Sequence, residues 1–181
     1  MTGQLHETAP WARAIAFLLS LAALLLTGAI AGFFYAYFCS VMWGLDASPP
    51  QAAMAAMQGI NATVRNAAFA PAFFGTPVVS LAAAAALFVC RFRLSAMLML
   101  AGACIYGFGA FWPTFAVNVA MNEALAGVPV PEGPAEAARL WAEYAEPWKW
   151  WNGLRTAFSF VSLACVGAAL WLARPNAQMT S

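Results

Sequence analysis

Charge is what this chain has least of. Lys plus Arg number 8 and Asp plus Glu 7 among 181 residues, so 8% are charged and 64% hydrophobic. A soluble globular protein carries about 25% charged residues, and the deficit points to an integral membrane protein. The net charge of +1 is too small to suggest a nucleic-acid partner. The one histidine, His6, stands in a polar N-terminal tail, so a haem or a multi-histidine metal centre lacks its usual ligands. Cys39, Cys90, Cys104 and Cys165 are isolated from one another. No zinc spacing or disulfide framework can be read from them, and they count as small packing residues.

What is present is uncharged length. Ala14–Leu45, Asn66–Cys90, Leu94–Asn122 and Thr156–Ala173 contain no charged residue, and each reaches or passes the roughly 17–20 residues that span a bilayer's hydrocarbon. Lipid cannot satisfy open backbone donors, which leaves helices or a closed barrel. Ala-rich runs such as Leu81–Leu87 do not alternate as barrel strands must. The expected fold is therefore all-α: an integral membrane four-helix bundle forming a single domain over 1–181, with spans near 15–42, 68–90, 94–119 and 153–173. The first apolar run is about twice a signal peptide's hydrophobic region, so this helix is expected to be retained.

Arg13, Arg91, Arg93 and Arg174 fall on one side of such a bundle and the two long connections on the other. Basic residues alone tie once Arg155 is counted. Arg91 and Arg93 crowd a very tight turn, which favours both termini in the cytoplasm and, for a bacterial protein, residence in the inner membrane. Short amphipathic helices are expected in the two long extracytoplasmic loops. One covers residues 50–66, with Ser48 as its cap and Pro49 in its first turn; an acidic one covers 135–146. Gly28 and Gly32, four apart, would allow close backbone approach, and Pro77 would kink span 2.

Polar side chains gather at one level of this threading. They are Asn61, Arg65 and Asn66 before span 2, Asn118 and Asn122 at the end of span 3, and Asn152 and Arg155 at the start of span 4. Charge near hydrocarbon usually faces the bundle interior or a cavity. The plainer alternative is that the arginines snorkel to headgroups and the amides cap or tie helices. Asp46, Glu123 and Glu146 lie near enough in sequence to compensate the two arginines. As a set these residues could line a cup with an apolar wall and a cationic rim, suited to a flat, partly anionic phenol or enol.

The blocks Ala31–Phe34 and Val41–Leu45, Met57–Asn61, Arg65–Phe69, the pair Asn118 and Asn122, and Trp148–Asn152 with Arg155 follow one another in a specific order. In this the chain resembles the anthrone-oxygenase-like (DUF1772) family of small four-span bacterial membrane proteins, over roughly residues 24–170. The resemblance implies oxygenation of an anthrone to an anthraquinone, with no metal or organic cofactor. On that reading Arg65 and Arg155 stabilise a substrate oxyanion. Asn61, Asn118, Asn122 and Asn152 orient ring oxygens. Asn66, Phe111, Trp112, Phe115, Trp148 and Tyr35 contact the substrate, and Glu123, Glu146 or Asp46 supplies a base. The partners would be an apolar aromatic molecule or lipid, dioxygen, membrane lipid and a second copy of the chain. Two other functions fit the residues. The cup could bind or carry a lipid, quinone or aromatic metabolite unchanged, or the chain could be a structural accessory subunit whose polar rim is glue.

Overall fold

A computed structural model describes residues 9–173; His6 and Arg174 lie outside them. Five helices account for nearly all of it. They are α1 (Pro10–Asp46), α2 (Pro50–Thr63), α3 (Phe69–Val89), α4 (Arg93–Ala126) and α5 (Pro134–Leu172). No strand occurs among the described residues. All but α2 are long and apolar enough to cross a membrane. The all-α architecture is as expected, and the chain is an integral membrane protein.

The packing is that of a protein solvated by lipid. Small residues carry much of the close helix packing: Ala23, Ala31, Ala83, Ala110 and Ala169 are fully buried. Large apolar side chains point outward instead, with Leu25 65%, Val78 66%, Phe108 79% and Trp171 63% exposed. Without a hydrophobic force between helices in lipid, association depends on close contact, and small residues permit it. The four long helices form a ring in the order α1, α3, α4, α5, each packed on its two neighbours.

The close glycines are not those expected. Gly32 has nothing near it and Gly28 meets only a leucine side chain. Gly102 and Gly109 instead let α4 approach α5. The Gly102 carbonyl also accepts the Ser162 hydroxyl at 2.8 Å. The turn between α3 and α4 is tight enough to hold Arg91 at φ 68, a left-handed conformation uncommon for a residue with a Cβ.

Helix boundaries differ from expectation at the other end of the bundle. The segment 135–146 is helical but continuous with span 4, giving one helix of 39 residues that carries Pro147 inside it. At 1.5 Å per residue it is about 58 Å long, so a large part projects beyond hydrocarbon about 30 Å thick. The helix α2 begins with Pro50 in its first turn, and the Ser48 hydroxyl donates back to Gly44 at the end of α1 rather than capping α2. Pro77 lies within the continuous helix α3. The short α2 lies against the projecting part of α5 and the last turns of α4. Gln58 secures it, donating 2.9 Å bonds to the carbonyls of Leu125 and Val128.

Candidate functional site

Beneath α2 is a recess walled by all five helices. From α1 come Phe33, Phe34 and Tyr37. Residues 60–65 provide Ile60, Asn61, Val64 and Arg65, while α3 adds Phe69, Phe73 and Phe74. The wall is completed by Thr114, Phe115, Asn118, Val119 and Asn122 of α4 and Trp148 and Arg155 of α5. It contains about 720 Å³ of space free of protein atoms, its open mouth included, and a water molecule's centre can visit about 100 Å³ of it. That is far more than the roughly 10–15 Å³ one water needs.

Arg155 is the deepest charge. It is 4% exposed, and no described carboxylate lies within ion-pair distance. Its guanidinium carbon sits 4.7 Å from the Phe34 ring centroid and 5.3 Å from that of Trp148. The aromatic faces stabilise the cation without neutralising it. Nη1 donates to the Thr114 hydroxyl at 3.2 Å, whose own proton goes to the Ala110 carbonyl at 2.8 Å. Nη2 donates to Asn152 Oδ1 at 3.1 Å, and the Asn152 amide donates to the Phe34 carbonyl at 3.0 Å. Nε has no partner.

Asn118 is 1% exposed, lines the same recess and has neither amide atom hydrogen-bonded. Two residues that line one aromatic cavity thus hold three buried polar atoms without partners, two amide and one guanidinium. Nearer the mouth the polar groups are satisfied. The Tyr144 hydroxyl and Trp148 Nε1 both donate to Asn122 Oδ1, at 2.8 and 3.1 Å, and Asn61 donates to the Tyr144 oxygen at 3.4 Å.

The structure therefore brings Asn61, Arg65, Asn118, Asn122, Phe115, Trp148 and Arg155 together around one space. Phe111 stands just behind that wall, stacked on Phe73 at 5.0 Å. Asn152 holds Arg155 from behind rather than lining the recess. The remaining predicted residues lie elsewhere. Tyr35 points outward and packs edge-on against Phe160, because its neighbours Phe34 and Tyr37 take the inner face. Trp112 is 64% exposed on the lipid-facing side of α4. Asn66 accepts the N–H groups of Ala68 and Phe69 and so starts α3.

Of the three acids, only Glu123 approaches an arginine, with Arg65 at 4.0 Å, and both are well exposed. Asp46 and Glu146 do not compensate Arg155. Both bind Lys149, at 2.9 and 2.7 Å, and Asp46 also accepts from Trp141 Nε1 at 2.9 Å. Among the described residues no three His, Cys, Asp or Glu side chains converge.

Thr114, Tyr144 and the inner aromatics Phe34, Tyr37 and Phe73 were not expected. Tyr144 was legible in principle, since Tyr144, Trp148, Asn152 and Arg155 follow at spacings of four, four and three, one face of a helix. Breaking that helix at Pro147 hid the pattern.

A model of the family described as anthrone oxygenase matches residues 62–165. The chain belongs to the anthrone oxygenase family. The match includes Arg65, Asn118, Asn122, Trp148, Asn152 and Arg155, and leaves out α1 and most of α2, where the resemblance began. No curated protein and no solved structure matches the chain significantly. The protein is thus a member of this family with an aromatic-rich interior, embedded in lipid by four apolar spans.

Proposed function

We propose that the chain acts as a single membrane domain and oxygenates an apolar aromatic substrate, anthrone-like or phenolic, without a cofactor. The observation that carries this reading is that Arg155 and Asn118, both lining one aromatic cavity, hold buried polar atoms without partners. A ligand oxygen bearing negative charge would satisfy the guanidinium and an adjacent oxygen the amide, while the rings cover its flat faces.

The chemistry balances with dioxygen alone. An anthrone's acidic CH₂ loses a proton to give an enolate, whose oxygen Arg155 stabilises. The enolate passes one electron to dioxygen, and the resulting carbon radical and superoxide combine to form a C–O bond. The peroxide oxygen takes back a proton. Loss of water, the second hydrogen leaving carbon as the O–O bond breaks, gives the ketone. One oxygen atom ends in the product and the other in water; the CH₂ carbon supplies all four electrons. Arginine cannot act as the base. Of the candidates, Glu123 borders the mouth of the recess, whereas Asp46 and Glu146 are held by Lys149.

The test is oxygen uptake by purified protein with anthrone as substrate. The double variant Arg65→Ala/Arg155→Ala is expected to abolish uptake while the bundle stays folded by circular dichroism. Full uptake by a folded double variant would remove the assignment. Recovery of bound anthrone unchanged under oxygen would instead favour a binding or carrier role.

A further inference from the structure

The recess comes close to the surrounding lipid at one place. Phe74 of α3 and Phe115 of α4 both line it, yet they are 49% and 45% exposed on the outside of the bundle. Side chains can do both only where the wall is one residue thick. The cause lies in the helix paths. The first part of α4, Arg93–Tyr106, packs closely on α3, but beyond Tyr106 α4 keeps to α5 and its close packing on α3 ends.

Only rings bridge the space left behind. Phe74 and Phe115 lie 6.2 Å apart by centroid and Phe73 and Phe115 5.8 Å. Rings can swing by rotamer changes, which break no backbone hydrogen bond and are fast on the scale of helix movements. Outside the gap Val78, four residues from Phe74 and on the same face of α3, is 66% exposed, so the gap faces hydrocarbon. The end of the recess beneath α2 is different in kind: its Asn61, Arg65 and Asn122 also line an adjoining open groove that holds Glu123, paired with the exposed Arg65.

We propose that the site is loaded from the bilayer through the α3–α4 gap, with Phe74 and Phe115 as the gate that sets which ligands pass. The class admitted is a flat, lipid-partitioned molecule with its phenolic or enolic oxygen at the leading edge. Rings that swing apart admit a flat molecule edge-on, and Arg155 and Asn118 line the recess beyond them. The polar mouth beneath α2 is left to water, protons and oxygen. This inference rests on reading the recess as the binding site.

The experiment follows 2-hydroxyanthracene binding to protein in lipid nanodiscs, by stopped-flow energy transfer from tryptophan. Its sulfonated analogue, confined to water, is the comparison. Phe74→Trp is expected to slow association and dissociation alike, by about tenfold, corresponding to about 1.4 kcal/mol of barrier, with far less change in Kd. Phe74→Ala and Phe115→Ala should accelerate both, a sign opposite to that of any folding defect. Ala62→Trp, placed in the aqueous mouth, should leave the rates alone. The sulfonated analogue should associate much more slowly.

If Ala62→Trp slows binding and the gate variants do not, or if the two probes associate equally fast, the lateral route is wrong. Arg155→Met separates the two ideas. Binding abolished by Arg155→Met but indifferent to both gate residues overturns the route and keeps the site. Wild-type protein that shows no saturable binding overturns both.

Discussion

Asn118 works against the stability of the empty protein. A buried polar group left unbonded costs about 1–3 kcal/mol, and here both amide atoms are in that state. Replacement by Leu, similar in size, should raise Tm while abolishing 2-hydroxyanthracene binding; a Tm that falls would mark Asn118 as structural glue. Arg155 makes the complementary case. Lysine keeps the charge but loses the planar fork held by Thr114 and Asn152 and the stacking on Phe34 and Trp148. Arg155→Lys is expected to reduce kcat for oxygen uptake by about 100-fold or more, the effect of removing one oxyanion donor, with the fold intact. Both residues stood out in the sequence as amide and guanidinium groups too polar for their depth. Their want of partners did not, because it depends on what every other helix fails to offer.

The two π-helical stretches of α4, Gly107–Phe111 and Thr114–Val119, explain how one helix supplies so much of the wall. Tyr106, Ala110, Thr114, Asn118 and Asn122 recur every four residues. A regular helix turns about 100° per residue and would carry the last about 160° round from the first. Each π turn absorbs one residue without advancing the rotation, which brings all five back to within about 40° on the side facing Phe73 and Arg155. Deleting Ala116 should let that stretch relax to a regular helix and swing Asn122 away from Tyr144 and Trp148. The expected readout is a protein still helical by circular dichroism, with probe binding lost and a lowered Tm. Gly109 constrains the same helix from behind, since a Cβ there would run into Phe158. Gly109→Ala is expected to destabilise by about 1–3 kcal/mol, as overpacking does, measured by thermal unfolding in detergent. The fourfold spacing was visible beforehand for Asn118 and Asn122. The π turns that extend it inward were not, because no hydrophobic period in the sequence marks them.

For the whole molecule the topology is the open proposal, with Arg91 and both termini cytoplasmic. In a background lacking Cys39, Cys90, Cys104 and Cys165, Gly133→Cys should react with a membrane-impermeant maleimide in intact cells and Arg91→Cys only after permeabilisation; the reverse pattern inverts the protein. The sequence alone determined that four helices cross the membrane, since that follows from uncharged runs set against the thickness of hydrocarbon, a one-dimensional comparison. It also placed the amides and guanidinium groups at one end. The tertiary structure decided which of them share a space: Arg65 at the mouth, Arg155 and Asn118 inside, Asn152 in support, Tyr35 and Trp112 facing lipid. It decided too that Asp46 and Glu146 go to Lys149 and leave Arg155 without a counter-charge. Those outcomes depend on helix rotation about the axis and on the join of 135–146 to span 4, which hydrophobicity barely constrains when lipid surrounds the bundle on every side.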